Sequence, residues 1–174
     1  MEKNHIETDK VNGSNDHLGF YLEHEISPVH QNISNLSKHM ERRNSLYRYL
    51  GLPKGYFSGK KILEVGPASG HNSLYIAACN PDKFDLLEPN PVAFNEIQKL
   101  YEVFKIPHST PNVISKTLEN FEKDQTYDIV ICEAWLGISD YERKLMKKLG
   151  SFVKKEGILI TTLASPAGYF FNMI

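Results

Sequence analysis

Five short apolar runs, each followed or preceded by a stretch with helical spacing, restrict this chain more than any other feature. The runs are Ile62 to Val65, Phe84 to Leu87, Asn112 to Ser115, Asp128 to Cys132 and Ile158 to Thr162. Most are continuously apolar rather than alternating, which is the pattern of strands covered on both faces. Strands of that kind alternating with helices form a parallel sheet with helices packed on each side. The expected fold class is therefore α/β, a doubly wound, mostly parallel sheet. At 174 residues and 41% hydrophobic content, the chain has room for one such core.

The connecting stretches carry their own punctuation. Ser34 to Leu50 places Leu36, Met40, Tyr47 and Leu50 at roughly helical spacing, and Gly51 and Pro53 stop it. His71 to Cys79 is expected to be a helix that Asn80-Pro81-Asp82 breaks. Asn90 can cap the next helix with Pro91 in its first position, and Phe94, Ile97, Tyr101 and Phe104 give it a sheet-facing side. Ser139 and Glu142 have the spacing of a capping box for a helix that buries Tyr141, Leu145, Met146 and Leu149 and that Gly150 is expected to end. Glu156-Gly157 then reads as a turn into the fifth strand. Ahead of the sheet, residues 1–17 read as a flexible tail and 18–58 as a helical lid or substrate segment, leaving 59–174 for the ligand-binding domain.

Two features turn this fold into a site. Glu64-Val65-Gly66-Pro67-Ala68-Ser69-Gly70 connects the first strand to the following helix by a tight turn, where backbone N–H groups can approach a ligand without a side chain between them. Twenty-four positions after Glu64, Glu88 stands at the carboxyl end of the second strand. In doubly wound sheets ligands bind beyond the carboxyl ends of the strands, and a carboxylate there can accept from both hydroxyls of a ribose. Together the turn and the acid point to a nucleoside-containing cofactor.

From about Gly59 to Thr162 the sequence resembles the class I S-adenosylmethionine-dependent methyltransferases, whose sheet is Rossmann-like. The resemblance is carried by Glu64 to Gly70, Glu88-Pro89-Asn90, Tyr127-Asp128-Ile129-Val130 and Lys155-Glu156-Gly157-Ile158-Leu159. It implies S-adenosylmethionine as cofactor and S-adenosylhomocysteine as product. It implies that the backbone at Gly66, Pro67, Ala68, Ser69 and Gly70 faces the methionine part and that Glu64 orients the ammonium group. Glu88 would hold the ribose, while Pro89 and Asn90 border the adenine. Thr117 and Leu118 match the positions that approach the adenine ring, and Glu133, Ala134 and Trp135 end the fourth strand beside the sulfonium. Ala68 stands where the family often has a second glycine, and Thr117 where an aspartate is frequent. An Asn-Pro-Pro-Tyr-like sequence is absent after the fourth strand, which argues against the nucleic-acid amino methyltransferases. The family sheet has seven strands, and after the fifth strand this chain leaves no room before Ile174 for strands six and seven, so a C-terminal truncation is expected. An exposed fifth strand would then favour homo-oligomers.

Composition narrows the partners. Twenty basic against twenty-one acidic residues give a net charge of -1, so no whole-chain electrostatic signal favours nucleic acid or an anionic membrane. A small-molecule acceptor is the expectation. Arg143, Lys144, Lys147 and Lys148 read as a solvated helix face. Cys79 and Cys132 lie inside apolar segments, away from metal-ligand spacing, and read as buried thiols in a reducing, cytoplasmic setting. No metal site is expected, and no apolar run has membrane-spanning length. His5, His17, His24, His30 and His39 precede the sheet and read as surface groups, with a general base among them as the sharper reading. Tyr21, Arg43 and Tyr47 are candidates to close over the cofactor. No residue is assigned as catalytic. Two other functions remain open at this stage: a nicotinamide-type Rossmann oxidoreductase, which the missing third glycine of G-x-G-x-x-G disfavours, and a non-catalytic binding or assembly module.

Overall fold

The computed structural model describes residues 17–29, 31–106, 109–122, 125–134, 136–137 and 139–162. Trp135, His30, residues 1–16 of the N-terminal tail and the apolar stretch from Tyr169 to Ile174 lie outside them. Two helices, α1 (His17–Glu23) and α2 (Leu36–Tyr49), and a 3-10 turn (Lys54–Tyr56) precede the sheet. The order is then β1 (Lys61–Val65), α3 (Ser73–Ala77), β2 (Lys83–Leu87), α4 (Pro91–Val103), β3 (Asn112–Ile114), β4 (Tyr127–Cys132), α5 (Asp140–Phe152) and β5 (Val153–Thr161). The five strands are all parallel in the order β3-β2-β1-β4-β5. Strand order therefore reverses between β1 and β4, and the crevice for a ligand opens where those two strands end.

Alternation along each strand divides the core in two. Ile62, Phe84, Leu86, Ile129 and Ile131 meet Tyr47 of α2, Tyr75 and Ile76 of α3 and Ile97 of α4. On the other face Leu63, Val65, Leu87, Val130 and Cys132 pack against Leu145, Leu149 and Phe152 of α5. Both cysteines are buried free thiols, as their apolar surroundings in the sequence suggested.

The local end signals work as their chemistry requires. Asn90 Oδ1 accepts from the N–H groups of Val92 and Ala93 at 2.9 and 3.3 Å, and Pro91 opens α4. The Ser139–Glu142 capping box is complete, with Glu142 N donating to Ser139 Oγ at 3.2 Å and Ser139 N to Glu142 Oε2 at 2.9 Å. At the end of α2, Gly51 sits at φ 79°, while Leu52 N donates to Tyr47 O at 2.8 Å and Gly51 N to Arg48 O at 3.0 Å, a Schellman closure.

Four sequence expectations are corrected. Gly150 does not end α5, which continues to Phe152 because that ring is buried against Phe121, with centroids 5.4 Å apart. The Glu156-Gly157 turn lies inside β5, which begins at Val153; Glu156 adopts φ 64°, and the register jumps from Tyr127↔Val153 to Ile129↔Ile158. A Cβ on Gly157 would meet Asp128 O at 2.8 Å, so only glycine lets the bulge lie this close to β4. The helix after the glycine turn is five residues, Ser73–Ala77, not the nine from His71 to Cys79. Finally, of the apolar positions expected on α2 only Tyr47 is fully buried, joined on that side by His39 and Arg43; Leu36 and Met40 are half-buried, and Leu50 is exposed.

Candidate functional site

The turn after β1 is built from backbone conformations that side chains resist. Gly66, Ala68 and Gly70 take φ values of 70°, 51° and 75°. Gly70 N closes the turn onto Pro67 O at 3.0 Å, and a Cβ on Gly70 would lie 2.9 Å from Ile97 Cγ1. Gly70 thus lets α4 pack directly against the turn. Ala68 tolerates the left-handed region at a cost of about 1 kcal/mol, and its N–H is committed: it donates to Glu88 Oε2 at 2.9 Å. The other oxygen, Glu88 Oε1, accepts from Asn90 N at 2.9 Å. The sequence pairing of turn and acid is therefore a direct contact, with β1 and β2 in register from Lys61↔Lys83 to Val65↔Leu87. Each Glu88 oxygen keeps a second lone pair for a ligand hydroxyl. Glu88 is 3% exposed, and burial pushes its carboxyl up to about 7 despite the backbone N–H groups of Asn90 and Ala68, which favour the charged form.

Glu64 faces the same crevice from β1. It is 5% exposed, its Oε2 has no hydrogen-bond partner among the described residues, and its carboxyl is also pushed up to about 7. Burial is the main cause; the Glu133 carboxylate adds to it, and Ser73 and Arg43 act in the opposite direction. Glu133, directly after β4, is held by the N-terminal segment. Arg43 Nη2 donates to both Glu133 oxygens at 2.9 Å and to Tyr47 Oη at 2.8 Å, while Tyr47 Oη donates to Glu133 Oε1 at 3.1 Å. Tyr47 itself is fully buried, stacked on Tyr75 with centroids 5.5 Å apart. Burial works against the Arg43 charge, but Tyr47 and Glu133 together raise its pKa above the ordinary value.

Three more contacts tie the same segment to the loops of the site. Asn90 Nδ2 donates to Ile26 O at 2.8 Å, and Gln31 N donates to His71 Nδ1 at 3.2 Å. His39 Nε2 lies 3.1 Å from His71 O, and Ser69 Oγ lies 3.1 Å from His71 Nδ1. His39 is not the surface group expected from sequence: it is 2% exposed, and burial lowers its pKa. The spacing of His39, Arg43 and Tyr47, one helical turn apart each time, was the available signal that α2 turns a polar stripe inward.

The structure thus brings Glu64, Gly66 to Gly70, Glu88, Asn90 and Glu133 to one end of the sheet around the β1/β4 reversal. Pro89 is half-buried beside Glu88, and Ala134 is exposed at φ 66°. Leu118 is buried in the α5-side core, so it would offer a ligand its backbone; Thr117 accepts from Asn120 N through both its carbonyl and its hydroxyl. Trp135 lies outside the described residues. Among the described residues, no helix is long and apolar enough to cross a membrane.

No family model matches the chain. It is 27% identical over 106 residues to the ribosomal RNA small subunit methyltransferase G of Aeromonas salmonicida, covering 59% of this chain and 50% of that protein. The chain therefore spans about half the length of this curated relative. Among solved structures, the magnesium protoporphyrin IX methyltransferase of Synechocystis PCC 6803 with bound S-adenosylmethionine superposes at a TM-score of 0.61 and 18% identity, covering 87% of this chain and 76% of that one. Coclaurine N-methyltransferase bound to N-methylheliamine and S-adenosylhomocysteine gives 0.59 and 15%, covering 78% and 39%. The chain has the class I S-adenosylmethionine-dependent methyltransferase fold, and the resemblance read from its motifs is borne out.

Proposed function

We propose, from the premise of that fold, that the chain binds S-adenosylmethionine across the ends of β1, β2 and β4 and serves methyl transfer to an O, N, C or S nucleophile of a small molecule. The observation that carries this reading is Glu88, fixed by the N–H groups of Ala68 and Asn90 with lone pairs to spare. Glu88 would take the ribose hydroxyls, the turn from Gly66 to Gly70 the methionine part, and Glu64 its ammonium group. Pro89, Asn90, Thr117 and Leu118 would border the adenine. Glu133, Ala134 and Trp135 would flank the sulfonium, whose methyl group is the electrophile the cofactor supplies when bound. The protein's contribution is then alignment and exclusion of water, and the segment carrying α2 would select the acceptor. The two buried free thiols fit a reducing compartment.

Balanced charge supports the small-molecule acceptor. An RNA acceptor is the second reading, favoured by the ribosomal RNA methyltransferase relative. Calorimetric titration with S-adenosylmethionine and S-adenosylhomocysteine tests the cofactor, and Glu88→Ala is expected to weaken binding about 10–100-fold, the loss of charge-assisted hydrogen bonds. Failure of the folded protein to bind either compound would falsify the reading. Transfer of a labelled methyl group to a small-molecule extract rather than to ribosomal RNA separates the two acceptors.

A further inference from the structure

The carboxylates at the site outnumber the cation available to them. Glu64 is surrounded from four elements: Arg43 and Tyr47 from α2, Ser73 from α3, Tyr101 from α4, and Cys132 with the adjoining Glu133 from β4. Among these the positive charge is Arg43, and its Nη2 is already engaged by both oxygens of Glu133 and by Tyr47. Glu64 Oε2, Ser73 Oγ, Arg43 Nε and Tyr101 Oη are buried without a hydrogen bond of good geometry among the described residues, and the neighbouring Ser73 hydroxyl only partly offsets the burial of the Glu64 carboxyl. A buried ionised carboxylate with an unpaired oxygen is costly, and taking up a proton relieves that cost. The carboxyl of Glu64, pushed up to about 7 chiefly by burial, agrees with the geometry.

We propose that Arg43 is a positioning residue that reserves Glu133, leaving Glu64 as a protonated carboxyl in the free protein that gives up its proton when the positive end of the cofactor arrives. This rests on the cofactor reading above. The balance is simple: the Glu64 carboxyl and an incoming ammonium group become a carboxylate–ammonium pair, and the proton leaves to the buffer. Binding is then tied to pH through Glu64. Burial pushes Glu88 up to about 7 as well, but each of its oxygens already accepts a backbone N–H, and the hydroxyls proposed for it bring no positive charge to draw its proton off.

Calorimetry of the full chain with S-adenosylmethionine, at about pH 6.5 in two buffers of different ionisation heat, counts the protons released. About half to one proton per cofactor is expected for the wild type. Glu64→Gln, which imitates the protonated state in shape, is expected to abolish the release. Arg43→Lys should keep it, and Arg43→Gln should increase it, since it removes the positive charge that favours ionised Glu64. Melting curves establish that each variant is folded. Binding with no buffer dependence, or release that survives in Glu64→Gln, overturns the proposal while the cofactor reading stands. Absence of binding to the wild type removes the cofactor reading and the proposal with it. The ligand-free protein gives a second measurement: the stability difference between wild type and Glu64→Gln should change between about pH 5 and 8, and a constant difference overturns the proposal independently of any ligand.

Discussion

The sheet and the segment in front of it are held by different physics. Between strands and their covering helices the contacts are apolar and near in pattern: Ile62, Leu86, Ile129 and Ile131 are fully buried in a core that any residues of similar volume and polarity could approximate. The segment from α1 through α2 shares that core through Tyr47, but it reaches the loops of the site through individual polar atoms. Its ties are Ile26 O with Asn90, Gln31 N with His71, His39 with His71 O and Arg43 with Glu133, spanning 64, 40, 32 and 90 positions of sequence. Burial of a hydrophobic surface is forgiving, whereas each polar tie depends on one partner. The sheet therefore sets where the loops after β1, β2 and β4 lie, and the segment is tied to those loops one polar contact at a time.

Substitutions can break this contrast or sharpen it. Ile131→Ala, fully buried near the C-terminal end of β4, is expected to cost about 2–5 kcal/mol of global stability, read as a fall in melting temperature; a cost like that of an exposed residue would mean the sheet is not the stable core. Gly70→Ala combines a φ of 75° with a 2.9 Å approach to Ile97 Cγ1, and a loss of about 1–3 kcal/mol is expected by denaturant unfolding. Ser139→Ala removes one side of the α5 capping box and should cost about 1 kcal/mol, well below the core substitution. At the small end, Leu46→Ala on the exposed side of α2 should stay within about 0.5 kcal/mol, because that helix turns His39, Arg43 and Tyr47 inward and leaves Leu46 exposed.

The pH dependence of the free protein separates the two ends of the sheet by sign. Glu64 and Glu88 both have carboxyls raised from 4.5 to about 7 in the folded chain. The folded state holds protons that the unfolded state has lost, so their contribution is complete below the unfolded value and is lost as pH rises through about 7. Asp128 behaves oppositely at the other end of the sheet. Although burial alone would raise its pKa, Lys154 and the Lys61 N–H lower it, so its contribution is present at neutral pH and lost on acidification. Unfolding curves from mildly acidic to mildly alkaline pH should therefore show stability falling across the range that spans the two glutamates, and Glu64→Gln should flatten that fall.

Local chemistry explains what was legible in the sequence. Asn90-Pro91, Ser139 with Glu142, and Gly51 act within a few residues of themselves, and each end of helix they mark is where the pattern put it. The contact between the glycine turn and Glu88 was legible because parallel neighbours in register must bring those positions together. The buried side of α2 was legible only in part. A rule that places apolar residues inward selects Leu36, Met40, Tyr47 and Leu50; it finds Tyr47 but misses Arg43, because the partner that makes burying Arg43 tolerable, Glu133, lies on another element. The continuation of α5 past Gly150 was hidden for a related reason: Phe152 is drawn inward by Phe121, a contact no local signal encodes.

Asn90 has a consequence that comes from the two ends of a single amide. Its oxygen caps α4 while its nitrogen grips the carbonyl of Ile26. Aspartate caps helices as well as asparagine does but has no hydrogen to offer a carbonyl. Exchanging one NH₂ group for an oxygen would thus leave the helix start intact and set two acceptors against each other at the strap. A one-atom edit works as a release catch, loosening the loop after α1 from the start of α4 while the α4 cap itself is kept.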